Sequence, residues 1–151
     1  MPVAVCDTST LIRLTKGKAI HCLEKLFDSV YLPESVLVEC RDMELVRILR
    51  NAPFDVRSVD SVLPLGLGVG EREAISLAVE LGVQTFVTDD KKAFRKAFLT
   101  GLLPISMVDI LVMAKLKGVI PSVIEVLDQM RSRGEGITPE LYQTILAKSH
   151  Q

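Results

Sequence analysis

Apolar residues in this chain fall into two spacings. Short runs of β-branched and aliphatic residues, such as Val3-Ala4-Val5-Cys6, read as buried strands, whereas longer stretches with apolar residues three and four apart read as helices. The predicted order begins with a strand at 2–6 and a helix from Asp7-Thr8-Ser9 to near Gly17. A second helix carries Ile20, Cys22, Leu23, Leu26 and Phe27 on one face, and a strand follows at 30–32. Pro33 then opens a long helix to about Arg50. A short strand at 56–59 precedes the breaker-rich loop 64–70, PLGLGVG, and a helix from Glu71 to Leu81 that Gly82 ends. The strand at 84–88 runs through Asp89-Asp90 into a helix containing Phe94 and Phe98, and Pro104-Ile105 marks the last strand. Helices at about 106–117, 121–132 and 139–148 close the chain, the last with Thr138 as N-cap. Strands that alternate with helices predict a three-layer α/β/α fold. Its central, mostly parallel sheet has four to five strands, with helices on both faces. No repeat or composition break divides the 151 residues, so one domain over 1–151 is expected, with the helices from about 106 to 149 inside it.

Composition narrows the function classes. With 48% hydrophobic and 25% charged residues the chain has the makeup of an ordinary globular domain, not of a disordered one. No apolar run is long enough to predict a membrane span, and no charged leader with an apolar core predicts a signal peptide. Cys6, Cys22 and Cys40 are odd in number and lack C-x-x-C spacing, which argues against a disulfide framework or zinc site and for the reducing cytoplasm. Eighteen basic and nineteen acidic residues give a net charge of −1, a total that does not announce a nucleic-acid binder. Acids gathered into one site would leave the rest of the surface net basic. Only His21, in a helix, and His150, near the C-terminus, are histidines, so Ser-His-Asp, Cys-His and histidine-rich zinc chemistry are poorly supported. The GLGVG stretch has neither a following lysine nor the G-x-G-x-x-G pattern of a phosphate loop.

The acids carry more information. In parallel α/β sheets ligands gather beyond the carboxyl ends of the strands, and two predicted strands end in acids: Asp7 after the first, Asp89-Asp90 after another. Each has a second account, since Asp7 and Asp90 also stand where helix N-caps belong. Glu39 falls beside the apolar stripe of Val36, Cys40 and Met43, where an acid needs a partner, either a cation or a salt bridge. Glu71 opens its helix on the side of Ile75 and Ala78, whereas Glu73 and Glu80 fall on another face and read as solvated, as do Asp42 and Glu44. An all-oxygen set of this kind suits Mg²⁺ or Mn²⁺.

The segments VAVCDTSTLI (3–12), LPESVLVEC (32–40), GVGEREAISLAVELG (68–82) and TFVTDDKKAF (85–94), in this order, resemble the PIN-domain family of metal-dependent ribonucleases. The stretch 115–134 is similar to a prokaryotic subfamily with a helical C-terminal extension, often found beside small antitoxin-like genes. The resemblance implies a PIN-like fold and an endoribonuclease using one or two Mg²⁺ or Mn²⁺ ions. It assigns Asp7, Glu39, Glu71 and Asp90 as catalytic and metal-holding acids, Asp89 as a further metal acid and Ser9 as a supporting hydrogen-bonding residue. It also implies RNA as partner and the toxin role of a type II toxin–antitoxin pair with a small antitoxin protein. The apolar faces of the tail helices separately predict a homodimer, or packing on their own core. Lys91, Lys92, Arg95 and Lys96 follow the acids as candidates for the RNA backbone, or as a solvated helix face. The chain departs from the pattern with Glu71 where many relatives have Asp, with Phe94 near the place of an arginine, and with Asp109, to which the resemblance gives no role. Two rivals stand beside this reading: a non-catalytic PIN-fold binding or assembly module, and a haloacid-dehalogenase-like phosphatase. Ser9 occupies the phosphatase's second acid position in Asp7-Thr8-Ser9.

Overall fold

In the computed structural model, which describes residues 2–148, the apolar run Val3–Cys6 forms strand β1 and Asp7 turns it into helix α1, Thr8–Lys16. There follow α2 (His21–Leu26), β2 (Ser29–Pro33), α3 (Ser35–Glu39), α4 (Met43–Leu49) and β3 (Phe54–Arg57). The second half contains α5 (Val69–Leu81), β4 (Thr85–Val87), α6 (Lys91–Leu99), β5 (Leu103–Ile105), α7 (Met107–Leu116), α8 (Val123–Ser132) and α9 (Pro139–Lys148). His150 lies outside the described residues.

The five strands form one parallel sheet in the order β3-β2-β1-β4-β5. The chain steps outward from β1 to β2 and β3, then returns to the other side of β1 for β4 and β5. The β1/β4 junction is therefore the point where connections depart in opposite directions, which opens a crevice at the carboxyl edge of the sheet. Alternation along the strands divides the core. Ala4, Cys6, Val30, Leu32 and Val87 face the larger cluster with α1, α2, α7 and α8, while Val5 and Phe86 face Ala74, Ile75 and Ala78 of α5 and Ala93 and Ala97 of α6. The predicted three-layer architecture is therefore observed, with helices on both faces.

The long helix expected from Pro33 to Arg50 is two short ones. Pro33 ends β2, and the chain is extended at Cys40 (ψ 118°) and Asp42 (ψ 109°) between α3 and α4. The Asp42 carboxylate accepts from the amides of Glu44 and Leu45 at 2.9 and 3.3 Å, so this residue is an N-cap and not merely a solvated charge. Its local hydrogen bonds offered the backbone a better arrangement than continuing the helix. Helix α5 begins at Val69, two residues before Glu71, and Gly82 closes it in the left-handed region (φ 69°) that a C-cap requires. Asp109 completes a capping box on α7: it accepts from Ser106 N at 2.9 Å while Ser106 Oγ accepts from Asp109 N at 3.2 Å. Thr138 caps the last helix as expected, accepting from Leu141 N at 3.2 Å.

Candidate active site

Asp7 sits where β1 becomes α1, and both accounts of it meet in one side chain. Its Oδ1 caps the helix, accepting from Thr10 N at 2.9 Å and from Ser9 Oγ at 3.4 Å, and its Oδ2 accepts from the Thr88 hydroxyl. The residue is only 1% exposed. Burial raises its carboxyl above the usual range despite these bonds, and the charge on Asp89 adds to the rise. Thr88, wholly buried at the end of β4, also accepts from Asp90 N at 3.2 Å, so one hydroxyl ties the acids that end β1 and β4. Asp90 caps α6 through Ala93 N at 2.8 Å, which occupies Oδ1 and leaves Oδ2 without a hydrogen bond.

Glu39 ends α3 and reaches the first turn of α5. Only a glycine permits this approach: a Cβ on Gly70 would stand 2.5 Å from Glu39 Oε1, and one on Gly68 would stand 2.9 Å from Glu71 Oε2. The α5 N-terminus offers unpaired backbone amides and no side-chain cap, a favourable setting for carboxylates. Burial is the largest cause that lifts the Glu39 carboxyl above its usual range, although the side chain is largely exposed. The charges of Glu71, Glu73 and Asp7 follow in that order. Glu39 and Glu73 line the same cleft of about 790 Å³ with Val38, Val56 and Val69. The salt bridge offered as the other account of Glu39 is absent: among the described residues no Lys or Arg is paired with Asp7, Glu39, Glu71, Glu73 or Asp90.

Glu73 is the acid that the sequence reading missed. It was read as solvated, yet it is half-buried, its Oε2 is buried without a hydrogen-bond partner, and its charge reaches Glu39. Its place just before Ala74-Ile75, at the edge of the buried stripe of α5, was the available signal.

Asp89 stands apart from the other acids. Its Oδ2 takes the Arg13 guanidinium at 2.7 Å and its Oδ1 takes Met107 N at 2.8 Å, while its own amide donates to Thr10 Oγ1 at 3.0 Å. Each oxygen takes one hydrogen bond, so that Asp89 joins α1, β4 and α7, and each keeps a further lone pair. Arg13 continues the tie to the α8–α9 connection, donating to Gly136 O at 3.0 Å and lying 3.6 Å from Glu135. Burial raises the Asp89 carboxyl, and the Met107 amide and Arg13 partly oppose it. Lys91, Lys92, Arg95 and Lys96 all lie on the exposed side of α6.

The donors around the crevice are therefore oxygen atoms of uncompensated carboxylates, one of them an orphaned buried oxygen, and such a set fits a hard divalent cation. Among the described residues, no three His, Cys, Asp or Glu side chains stand as a ready-made metal site. The caps on Asp7 and Asp90 hold those carboxylates against their own helices.

A family model described as a PIN domain matches residues 3–151. The chain belongs to the PIN-domain family. PIN domains are commonly nucleases and generally use divalent metals, which sets the phosphatase reading aside. Among solved structures the chain is similar to a PilT N-terminus domain protein from the hyperthermophilic archaeon Sulfolobus solfataricus P2. The two are 20% identical with a TM-score of 0.54, over 74% of this chain and 92% of the other, a likeness of fold. No curated protein matches the chain. No helix among the described residues of this PIN domain is long and apolar enough to cross a membrane.

Proposed function

We propose that this PIN domain is a divalent-metal-dependent endoribonuclease in which Asp7, Glu39, Glu71, Glu73 and Asp90 hold the cation. The observation that carries this reading is the gathering of acids: Glu39 Oε1 lies against Gly70 in the first turn of α5, near the charges of Glu71, Glu73 and Asp7, and among the described residues no Lys or Arg is ion-paired with them. Bound Mg²⁺ or Mn²⁺ supplies Lewis acidity, which activates water and stabilises charge on a phosphodiester. The protein's own part is positioning. Thr88 and the α1 cap fix Asp7, the α6 cap fixes Asp90, and Gly70 admits Glu39 to the crevice. Asp89 and Ser9 act as positioning residues, Asp89 by tying three elements together and Ser9 by donating to Asp7.

RNA as substrate, a small antitoxin protein as partner and a toxin role belong to the same proposal and rest on the family resemblance; a homodimer rests on the amphipathic tail helices alone, of which α8 packs its buried face on the core. Incubating the purified protein with a panel of RNAs, in Mn²⁺ and in EDTA, tests it. Cleavage in Mn²⁺ that EDTA abolishes and that Asp7→Asn and Glu39→Gln lose is expected. Intact RNA throughout, or Asp7→Asn cutting as well as wild type, would leave a non-catalytic binding module as the better account.

A further inference from the structure

Helix α6 buries only Ala93 and Ala97 and turns its other residues outward. Two of those are aromatic: Phe94 is 39% and Phe98 66% exposed. The sequence KKAFRKAFL contains four cations and no acid, and none of Lys91, Lys92, Arg95 and Lys96 is ion-paired among the described residues. Helical spacing sorts them. Lys91, Phe94, Arg95 and Phe98 stand at i, i+3, i+4 and i+7 and share one stripe, while Lys92 and Lys96 lie together along one side of it. The stripe starts beside Asp90, the N-cap of this helix and one of the crevice acids, and rises about 10 Å from it.

The geometry points to this α6 stripe as a track for single-stranded nucleic acid, with Phe94 and Phe98 as stacking platforms for successive unpaired bases and the four cations holding the backbone. Uncompensated cations alone would suit any polyanion. Exposed rings at one-turn spacing among them select a strand whose base faces are free, since duplex bases are already stacked. A second copy of the chain is disfavoured, because a two-fold contact would set the four cations against their own copies. The surface would deliver a strand to the acids at the start of its helix, so the inference rests on the nuclease reading for its purpose but not for its test.

The test is binding in EDTA, where cleavage does not intervene, followed by fluorescence anisotropy of a short labelled single-stranded RNA, the matching RNA duplex and polyglutamate. Wild type is expected to bind the single strand more tightly than the duplex. Phe98→Ala and Phe94→Ala should each weaken single-strand binding about tenfold, and Tyr at either position should retain it where Leu does not. Lys92→Gln with Lys96→Gln should flatten the dependence on salt by about 1.4 logarithmic units per decade. Since Phe98 is largely exposed, its substitution leaves the fold intact and the result readable. Alanine variants that bind like wild type, or a duplex bound as tightly as the single strand, would overturn the inference. Binding of polyglutamate but not RNA would reassign the face to an acidic protein partner. RNA cleavage in Mn²⁺ by a Phe98→Ala protein whose binding is unchanged would sink this inference and leave the nuclease reading standing. Ring-dependent binding without cleavage would do the reverse.

Discussion

Replacing Asp7 by Asn should make the metal-free protein gain stability relative to wild type as pH rises, while abolishing cleavage. The substitution keeps the helix cap, because Asn Oδ1 can accept from Thr10 N as Asp7 Oδ1 does, and Asn is as good a cap as Asp. On the other branch the amide would donate to Thr88 Oγ1, which then accepts twice and loses the acceptor that Asp7 Oδ2 gave its own proton, a pH-independent cost set against the gain from neutralisation. What changes is the charge. The Asp7 carboxyl is raised because burial outweighs the hydrogen bonds that favour its ionised form. Neutralising the residue removes the penalty on its charged form, so the variant is expected to gain on wild type as pH rises. The pH dependence fixes the cause. A carboxyl raised on folding contributes stability that is fully present below its unfolded value, near 3.8, and is lost as pH rises through the folded value. The advantage of Asp7→Asn should thus be absent at strongly acid pH, grow as pH rises past the ordinary aspartate range, and then level off. Urea melts of both proteins in EDTA across that range give the comparison. A difference that does not vary with pH, or one that turns against the variant as pH rises, would refute the claim that Asp7 is a strained charge.

Other substitutions separate positioning from chemistry. Gly70→Ala drives a methyl into Glu39 Oε1, so the carboxylate must move; cleavage should fall about tenfold or more, with Tm nearly unchanged because the flexible end of a side chain absorbs the clash. Arg13→Ala leaves the largely buried Asp89 unpaired and should cost about 2 kcal/mol in a denaturant melt, with part recovered in the double variant Arg13→Ala/Asp89→Asn. Asp109→Ala removes half of a capping box and should cost about 1 kcal/mol by the same measurement without altering cleavage.

What the sequence made legible was local. Val3–Cys6 followed by Asp7, Gly82 after α5 and Thr138-Pro139 before α9 each carry their signal within a few residues, and each forms the expected element. The break at Asp42 was equally local but was masked by the apolar period that continues through Met43 and Val46. The roles of Asp89 and Glu73 turn on distant partners, although the place of Glu73 beside Ala74-Ile75 gave a local sign of its burial. Asp89 is decided by Arg13, 76 residues away, and Glu73 by its approach to Glu39 across the α3–α5 contact. Strand ends told which acids reach the carboxyl edge; only the packing of helices told which of them face the crevice.

Mn²⁺ binding by the purified protein, followed by the electron paramagnetic resonance of the free ion, tests the central claim most directly. Wild type should take up Mn²⁺ saturably, and Asp7→Asn and Glu39→Gln should each weaken uptake at least about tenfold. Wild type that leaves the free-ion signal unchanged, or variants that bind as tightly as wild type, would contradict the assignment of these acids as a metal site.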